Sequence, residues 1–386
     1  MIKRAVNKAK RLIAPYITFN KKRRFEKAAI PLGECERLIV IETTFGWDGI
    51  MRQRPQQIAS CYPEGTLVLY HSAKDGYADG DCIKKIKDGL YVLNLDLYRD
   101  ILTEAAKNVR KRFLTVYSTD PVPMGVIKKY ESAGFRLIYE YVDDLDPTLS
   151  GKRVFKKLER KHRHMMDKKV LTVCTATRLY DNVKDLTNAL LVTNGCDYEH
   201  FKARGHSCPA DMTNGSKKPV LGYYGAVASW MDFDILKKLA ETGRYEIVLL
   251  GVDYDGSFGK SGISTYENIH FLGRKSYEEL PSYAAYFDVC MIPFLKNSIT
   301  KATSPVKLFE YMAAEKPIVT TDLDECLKYE SVICASGADG FLAAVEKAYA
   351  LRDDAEYKAL LRKEAMENSW DKKCRMIIEL TEENDG

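Results

Sequence analysis

Residues 300–320 read TKATSPVKLFEYMAAEKPIVT, and this stretch predicts a helix that leads directly into a buried strand. Pro305 is typical of the first turn of a helix, and Ser304 before it is typical of an N-cap. We therefore expect a helix over Pro305–Ala314 and a strand over Pro317–Thr320. A helix that leads into a strand is the repeating unit of a parallel α/β sheet.

The same alternation continues on both sides of this stretch. Strand-like runs such as Leu38–Glu42 and Leu114–Ser118 are separated by helical segments, and the pattern restarts at Val220 after a polar stretch, Lys202–Pro219. The sequence therefore predicts an α/β protein with two doubly wound, Rossmann-like domains that face each other across a cleft. The predicted divisions are a basic amphipathic segment (1–30), an N-terminal domain (31–205), a linker (206–219), a C-terminal domain (220–365) and a terminal helix that packs back on the N-terminal domain (366–386).

The composition is that of a globular protein. Of the 386 residues, 46% are hydrophobic and 29% are charged, which excludes a disordered chain, a collagen and a small disulfide scaffold. No two of the 10 cysteines are three positions apart, so the sequence has no C-x-x-C metal or redox motif. No apolar run approaches the roughly 18 residues of a membrane span, and we see no signal peptide. We expect a reducing cytoplasmic environment.

The net charge is +5, but the N-terminal end is far more basic than the rest. Residues 1–27 contain ten Lys or Arg against one acid, Glu26, and their apolar residues recur at helical spacing. A basic amphipathic helix is typical of contact with an anionic membrane surface. A solvated chain end and a helix docked on its own protein are the alternatives. Nucleic acid is disfavoured as a partner because no nucleic-acid-binding motif accompanies the segment.

A second basic cluster lies at Lys152–Lys169, where nine Lys or Arg are opposed by Glu159 and Asp167. Its composition predicts a surface helix that contacts the same membrane surface, with a simple solvated helix as the alternative. His162 and His164 are two positions apart, so they do not face each other on a helix and make a poor metal pair. We expect a peripheral protein at the inner face of the cell membrane.

Lys307 and Glu310 are the candidate ligand-binding residues of the quoted stretch. Lys307 lies in the first turn of the predicted helix, where the helix dipole disfavours a cation unless an anion is also bound there. Glu310 is three residues further along the same face, and its carboxylate can accept hydrogen bonds from sugar hydroxyls. The alternative is a surface ion pair between the two side chains.

Five further blocks carry a resemblance to a known family. They are Phe45–Gln57, Leu191–Phe201 (LVTNGCDYEHF), Leu221–Leu236 (LGYYGAVASWMDFDIL), Ile269–Tyr283 (IHFLGRKSYEELPSY) and Met291–Phe294 (MIPF). Together with residues 300–320 they resemble the GT-B glycosyltransferases of the retaining group, family 4, which includes bacterial polysaccharide and lipopolysaccharide enzymes. The likeness covers most of residues 35–365.

This resemblance implies an activity and its substrates. We expect transfer of a sugar, with retention of its anomeric configuration, from a nucleotide sugar to a glycan or a polyprenyl-phosphate-linked acceptor. A UDP-sugar is the expected donor because it is the commonest one. Enzymes with this fold generally need no metal ion, so we expect no cofactor.

The resemblance also assigns donor-site residues. Glu310 matches the second glutamate of the family's E-x7-E motif, which binds the ribose, but Ala302 stands at the position of the first glutamate. The family's diphosphate-binding Arg and Lys, counted from Gly225, fall on Ala226 and Met231. The diphosphate is therefore expected to rest on the helix start and on Lys307, which we also count as catalytic. The predicted donor site comprises Gly225, Arg274, Ser304, Pro305, Val306, Lys307 and Glu310.

Two regions of the N-terminal half complete the predicted site. The loop after the first strand contains the expected acceptor-side or phosphate-side residues Gly46, Trp47, Asp48, Arg52 and Arg54. Arginines in this loop are suited to bind a phosphate. The alternative is that their side chains face solvent. The strand before Asp143 and Asp144 resembles one after which the family places a polar catalytic residue, so Asp143 is the first candidate and Asp144 the second. An aspartate that caps a turn is the alternative. We discount Asp144-x-Asp146 as a metal motif.

The three departures leave other functions open. A non-catalytic glycosyltransferase-like partner subunit would lack the same charged residues, although Lys307 and Glu310 oppose that interpretation. A GT-B epimerase acting on a nucleotide sugar would not need the basic N-terminal segment. A glycan phosphorylase would usually be much longer than this chain.

Overall fold

The computed structural model describes residues 19–49, 52–73, 82–145, 147, 151–212 and 216–382. These residues divide into two compact units. The first unit contains the described residues up to Tyr141, with Leu145–Val173 and Val183–Leu190. The second unit contains Val142–Asp144, Cys174–Asn182 and the described residues from Leu191 onward. Of the predicted amphipathic segment, residues 1–18 lie outside the described residues and residues 19–27 are helical.

The first unit is built on an eight-stranded sheet of order β3-β4-β2-β1-β5-β6-β7-β8. Its strands are β1 (Arg37–Glu42), β2 (Thr66–His71), β3 (Ile83–Lys87), β4 (Leu90–Leu93), β5 (Lys111–Tyr117), β6 (Arg136–Tyr141), β7 (Leu171–Cys174) and β8 (Asn188–Leu191). β3 runs antiparallel to β4, whereas β1 runs parallel to β2 and β5. Every residue of β1 is buried, as is usual where helices cover both faces of a parallel sheet.

Among the described residues of this unit, four helices lie between the strands in sequence. They are α1 (Arg54–Cys61), α2 (Leu95–Ala105), α3 (Met124–Ser132) and α4 (Lys152–Met165). The second basic cluster falls on α4 and is only partly solvated. Lys161 is fully buried, donates to the backbone carbonyls of Tyr117 and Asp120, and has its pKa lowered to about 8 by burial. Helix α4 is therefore amphipathic, and one of its cations, Lys161, is buried inside the unit.

The second unit is built on a six-stranded sheet in which each pair of neighbouring strands is parallel. Its strands are β9 (Val220–Tyr224), β10 (Glu246–Leu250), β11 (Ile269–Phe271), β12 (Val289–Ile292), β13 (Ile318–Thr321) and β14 (Val332–Ala335). Their order is β11-β10-β9-β12-β13-β14, so the strand order reverses between β9 and β12. In a doubly wound sheet this reversal opens a crevice at the carboxyl ends of the two strands, where ligands bind.

The helices of the second unit lie before, between and after its strands in the chain. They are α5 (Thr177–Val183, grouped with this unit up to Asn182), α6 (Tyr198–Phe201), α7 (Phe233–Glu241), α8 (Ser257–Ser261), α9 (Leu280–Ala285), α10 (Val306–Ala313), α11 (Gly337–Ala350), α12 (Ala355–Glu367) and α13 (Trp370–Glu382). The predicted fold class is confirmed, because each unit is a Rossmann-like α/β layer structure on a largely parallel sheet.

The contacts divide the chain differently from the predicted boundaries. Residues 191–205, predicted in the N-terminal domain, group with the second unit because Cys196 pairs with Ser369 at the start of α13. Helix α13 itself also belongs to the second unit. The predicted linker, 206–219, is anchored there as well, since the Asp211 carboxylate lies 2.5 Å from Lys275 Nζ and accepts from the Tyr283 hydroxyl at 2.6 Å.

A buried ion pair stabilises the first unit next to β6. Arg54 Nε donates to Glu140 Oε2 at 2.8 Å, and both side chains are almost completely buried. Burial raises the pKa of Glu140, and the guanidinium opposes that shift. Removing one partner would leave the other charge buried without compensation, which is costly.

We expect Arg54→Met to lower the free energy of unfolding by about 3–5 kcal/mol and the double variant Arg54→Met/Glu140→Leu to recover most of that loss. Urea denaturation measures both values. The exposed pair of Lys22 and Glu26, 3.9 Å apart, provides the control, because Lys22→Met should change stability by less than about 1 kcal/mol. A double variant as unstable as the single one would contradict this account of Glu140.

Candidate functional site

The carboxyl ends of β9 and β12 carry the best-defined site of the second unit. Gly225 follows β9 with φ 135°, a backbone conformation that is essentially limited to glycine. A Cβ added to Gly225 would lie 2.9 Å from Lys307 Cε and 3.1 Å from Lys307 Nζ. The lysine side chain of α10 therefore lies across the bare backbone of this glycine.

A second glycine allows the adjacent strand ends to approach closely. Gly251 follows β10 with φ 142°, and a Cβ there would come within 1.8 Å of the Gly225 carbonyl oxygen. The Gly225 N–H donates to the Leu250 carbonyl at 2.9 Å, which extends the pairing of β9 and β10 beyond the strands. The two glycines fix the path of the backbone beneath Lys307.

The Lys307 ammonium lies against two aromatic rings. Its Nζ is 5.1 Å from the ring centre of Tyr223 and 5.0 Å from that of Phe294, within the range of cation–π attraction. Burial lowers the pKa of Lys307 to about 8, while the Glu310 carboxylate and the Cys326 thiol oppose the shift. Within the described parts of the chain, this ammonium makes no ion pair or hydrogen bond. It is therefore a positive charge available to an anion.

Glu310 is the buried acid of the same helix, 5% exposed. Burial raises its pKa to about 7, the Asp197 carboxylate adds to the shift, and the Tyr224 hydroxyl and Lys307 oppose it. Near neutral pH the side chain can therefore exchange between a hydrogen-bond acceptor and a protonated donor. Ligand hydroxyls are bound better by such a carboxyl group than they would be by a second cation.

The start of α10 differs from the predicted one. The N-cap residue is Pro305, with φ −69° and ψ 117°, and the helix begins at Val306. The predicted cap by Ser304 is wrong, because its Oγ accepts from the Asn194 N–H at 3.2 Å and its carbonyl accepts from Asn194 Nδ2 at 2.6 Å. The first amides of α10, those of Val306 and Lys307, have no acceptor within the helix and add to the positive end of its dipole.

None of the three positions that depart from the family pattern supplies a charge. Ala302 is buried in a short 3₁₀ turn, Thr300–Ala302, and Met231 is buried in a bridge with Phe294. The Ala226 carbonyl accepts from the Tyr223 hydroxyl at 2.7 Å. Arg274, another predicted donor residue, is exposed on the loop that follows β11. Of the two predicted donor-site cations, Arg274 and Lys307, Lys307 is the one that lies directly at the end of β9.

In the first unit, the predicted loop follows β1. The Trp47 N–H donates to Ser72 Oγ at 3.1 Å, and its ring packs edge-on against Tyr70 with centroids 5.1 Å apart. The Arg52 guanidinium lies 5.9 Å from the Trp47 ring and donates to Ser60 Oγ at 2.8 Å. The Gly46 carbonyl accepts from Gln56 Nε2 at 2.9 Å, and Asp48 is exposed.

Arg54 is not part of that loop surface. We predicted that Arg54 faces either a phosphate or solvent. Because the side chain forms a buried ion pair with Glu140, both predictions are wrong. The reason is that Arg54 begins α1, which packs against the sheet beside β6 and turns the side chain inward.

Sequence reasoning missed a cluster centred on Asp120. The Thr43 and Thr44 hydroxyls donate to the Asp120 carboxylate at 2.6 and 2.5 Å, and the Thr44 N–H donates to it at 3.2 Å. These residues follow β1 and β5, the strands between which this sheet reverses its order. The signal in the sequence was the presence of polar residues directly after two neighbouring buried strands. The hydrogen bonds among these residues fix the start of the Gly46 loop.

Asp143 and Asp144 follow β6 and group with the second unit. Burial, with a smaller effect of the Asp144 carboxylate, raises the pKa of Asp143 to about 7. Asp144 lies 3.9 Å from Arg178 Nε, and the adjacent Val142 carbonyl accepts from the Thr175 hydroxyl at 2.8 Å. Asp146, the other acid of the discounted metal motif, lies outside the described residues.

Sequence comparison finds a matching family and a similar curated protein. Residues 219–356 match the family described as glycosyl transferases group 1. The putative teichuronic acid biosynthesis glycosyltransferase TuaH of Bacillus subtilis (strain 168) is 28% identical over 197 residues, which are 49% of this chain and 50% of that protein. The chain thus spans about half the length of this curated relative.

Solved structures match nearly the whole chain. Sucrose-phosphate synthase from Thermosynechococcus elongatus gives a TM-score of 0.66 at 12% identity, covering 90% of this chain and 98% of the other. HepE of Anabaena, solved with UDP and glucose, gives 0.60 at 15%, covering 90% and 99%. WaaG, a glycosyltransferase involved in lipopolysaccharide biosynthesis, gives 0.56 at 13%, covering 90% and 100%. At these identities the likeness shows the fold, which is the GT-B fold of glycosyltransferases.

We expect Gly225→Ala to destabilise the second unit, because alanine at a φ of 135° carries backbone strain of about 1–3 kcal/mol and the end of the Lys307 side chain would have to move. Gly243→Ala is the matched control, since Gly243 also has a positive φ, 64°, but nothing lies within 4 Å of an added Cβ. Thermal unfolding should show the larger loss for Gly225→Ala. Equal losses would contradict the backbone strain that we assign to alanine at position 225.

Proposed function

Because the chain has the GT-B fold and residues 219–356 match the glycosyl transferases group 1, we propose that it is a glycosyltransferase acting on a nucleotide sugar. The observation that carries this proposal is the Lys307 ammonium at the carboxyl end of β9, which no described residue pairs. In a parallel sheet, this edge at a reversal of strand order is where nucleotides bind.

The chemistry of sugar transfer matches this charge. When a nucleoside diphosphate leaves, negative charge develops on its outer phosphate and the sugar acquires oxocarbenium character. Positive groups already fixed at that position stabilise the transition state more than the ground state. Lys307 and the free amides at the start of α10 supply that charge, and the Glu310 carboxylate accepts hydrogen bonds from the ribose hydroxyls.

The finer features of the reaction are part of the same proposal. The donor is a UDP-sugar, in keeping with the UDP and glucose of the HepE structure. The acceptor is a glycan or a polyprenyl-phosphate-linked glycan of the cell surface, in keeping with the teichuronic acid pathway named for the Bacillus relative. Transfer proceeds with retention, with Asp143 and Asp144 as the candidate catalytic carboxylates, and no metal ion is needed because Lys307 neutralises the leaving group.

A second candidate function rests on the three departures. Ala226, Met231 and Ala302 remove an arginine, a lysine and a glutamate that the resemblance led us to expect, as in a non-catalytic partner subunit that has lost its donor contacts. The two functions differ in one measurable property, because the partner subunit would bind no nucleoside diphosphate.

We expect calorimetry with UDP, GDP, dTDP, CDP and ADP to show binding of one diphosphate, UDP, to the wild-type protein. Lys307→Met and Glu310→Ala should each weaken that binding at least about 10-fold, the effect of losing one charged hydrogen-bond partner. Lys347→Met, which removes an exposed lysine of α11, is the charge-matched control and should bind normally. Binding of none of the five by the wild type would contradict the enzyme and favour the partner subunit.

The pH dependence of the same affinity tests whether the ammonium is the contact. A pKa of about 8 means that free Lys307 loses its proton as the pH rises through that value. Diphosphate affinity should therefore fall above about pH 8, by up to 10-fold per pH unit. The residual affinity of Lys307→Met should show no such fall.

We also propose that the protein works as a peripheral protein on the inner, anionic face of the cell membrane, through residues 1–27 and helix α4. No helix within the described ranges is long and apolar enough to cross a membrane. The exposed face of α4 carries a row of cations: Lys152, Arg153, Lys156, Lys157, Arg160 and Arg163. Between α3 and α4 lies a cavity of about 360 Å³ whose lining includes Lys128, Arg160 and Arg163. Each cation near an anionic bilayer contributes about 1 kcal/mol to binding.

We expect the triple variant Lys156→Gln/Lys157→Gln/Arg160→Gln to bind vesicles containing anionic phosphatidylglycerol about 100-fold more weakly than the wild type does. Vesicle sedimentation measures the affinity, and neutral phosphatidylcholine vesicles give the baseline. The control removes three exposed lysines of the second unit, Lys260, Lys347 and Lys363. If both triple variants lose affinity equally, α4 is not the contact surface.

A further inference from the structure

The segment Thr193–Asp197 is held against the start of α13 by close backbone contacts. The Cys196 N–H donates to the Asn368 carbonyl at 3.1 Å, and the Trp370 N–H donates back to the Cys196 carbonyl at 3.0 Å. A Cβ added to Gly195 would lie 2.4 Å from the Asn368 oxygen, so this approach requires glycine. The segment therefore has a fixed position relative to the last helix.

A buried lysine of α13 strengthens this attachment. Lys373 is 6% exposed, and its Nζ donates to Thr193 Oγ1 at 2.8 Å and to Asn368 Oδ1 at 2.7 Å. The same Nζ lies 5.9 Å from the ring centre of Phe309, a residue of α10. A buried ammonium is costly unless it is well satisfied, so these partners constrain its position strongly. Lys373 thus connects α13, the segment and α10.

The segment in turn contacts the first turn of α10. Asn194, next to Thr193, holds both the hydroxyl and the carbonyl of Ser304. Ser304 directly precedes Pro305, the N-cap residue of α10, which offers no side-chain cap of its own. At the other end of the segment, the Asp197 carboxylate lies close enough to Glu310 to contribute to its raised pKa. The start of α10 is therefore held from outside the helix.

We propose that Lys373 is a positioning residue for the nucleotide-sugar site. It orders Thr193–Asp197, the segment orders Ser304, and Ser304 sets the first turn of α10, from which Lys307 and Glu310 project. In this proposal Lys373 does not itself contact the ligand. The proposal rests on the function proposed above, since it assigns to α10 the binding of the diphosphate and the ribose.

Lys373→Met is the informative variant, because methionine keeps the apolar stem beside Phe309 and removes the ammonium. We expect its dissociation constant for the diphosphate that the wild type binds to rise about fivefold or more. Amide hydrogen exchange at Leu308, whose N–H donates to the Pro305 carbonyl at 3.1 Å, should become faster, with or without ligand. Lys373→Arg, which keeps a cationic donor, should restore part of the affinity and of the protection.

Two controls separate positioning from a general loss of stability. Val345→Ala removes buried volume from α11, so it lowers the melting temperature without touching the segment. It should leave both the diphosphate affinity and the exchange at Leu308 unchanged. Lys372→Met removes the exposed neighbouring lysine and should change neither property.

The outcomes distinguish this inference from the proposed function. Unchanged exchange at Leu308 in Lys373→Met overturns the inference, whether or not a diphosphate binds. Faster exchange in a protein whose wild type binds no diphosphate supports the structural connection and contradicts the proposed function. Val345→Ala matching Lys373→Met in exchange would show that stability, and not position, is responsible, and it too would overturn the inference.

Discussion

The Lys307 ammonium imposes the constraint on which the second unit's site depends. A cation in the first turn of a helix opposes the helix dipole, and burial lowers its pKa to about 8. The end of its side chain lies where a Cβ on residue 225 would come within 2.9 Å, so glycine at that position leaves it room. The faces of Tyr223 and Phe294 offset part of the cost of burial. An arrangement with these costs is explained most simply by an anion that completes it.

The loss of other charges makes this lysine more important. Ala226, Met231 and Ala302 are all small or apolar where the resemblance led us to expect charged residues. Without the expected arginine and lysine, the positive groups at the end of β9 are Lys307 and the free amides of α10. The geometry of a single helix start then decides how well an anion is held. For the binding that we propose, contacts that fix Ser304 from outside the helix are therefore important.

The first unit uses the same physical rule differently. Its polar groups also gather at the carboxyl ends of parallel strands, but they satisfy one another. Asp120 accepts from Thr43 and Thr44, Lys161 donates to carbonyls after β5, and Glu140 pairs with Arg54. Buried polar groups that are paired with one another stabilise a loop and leave little charge for a ligand. The contrast with Lys307 identifies which strand ends are structural.

The sequence by itself determined the α/β class, the strands from Val220–Tyr224 to Ile318–Thr321 and the candidates Lys307 and Glu310, because these follow from local apolar patterns and helix-start chemistry. It did not reveal β3, whose residues Ile83–Lys87 read IKKIK, since an edge strand with exposed lysines has no buried pattern to detect. Only the tertiary structure decided that Arg54 turns inward, that Asn194 uses Ser304 and that Lys373 is buried, because partners more than 80 residues apart leave no signal in local spacing.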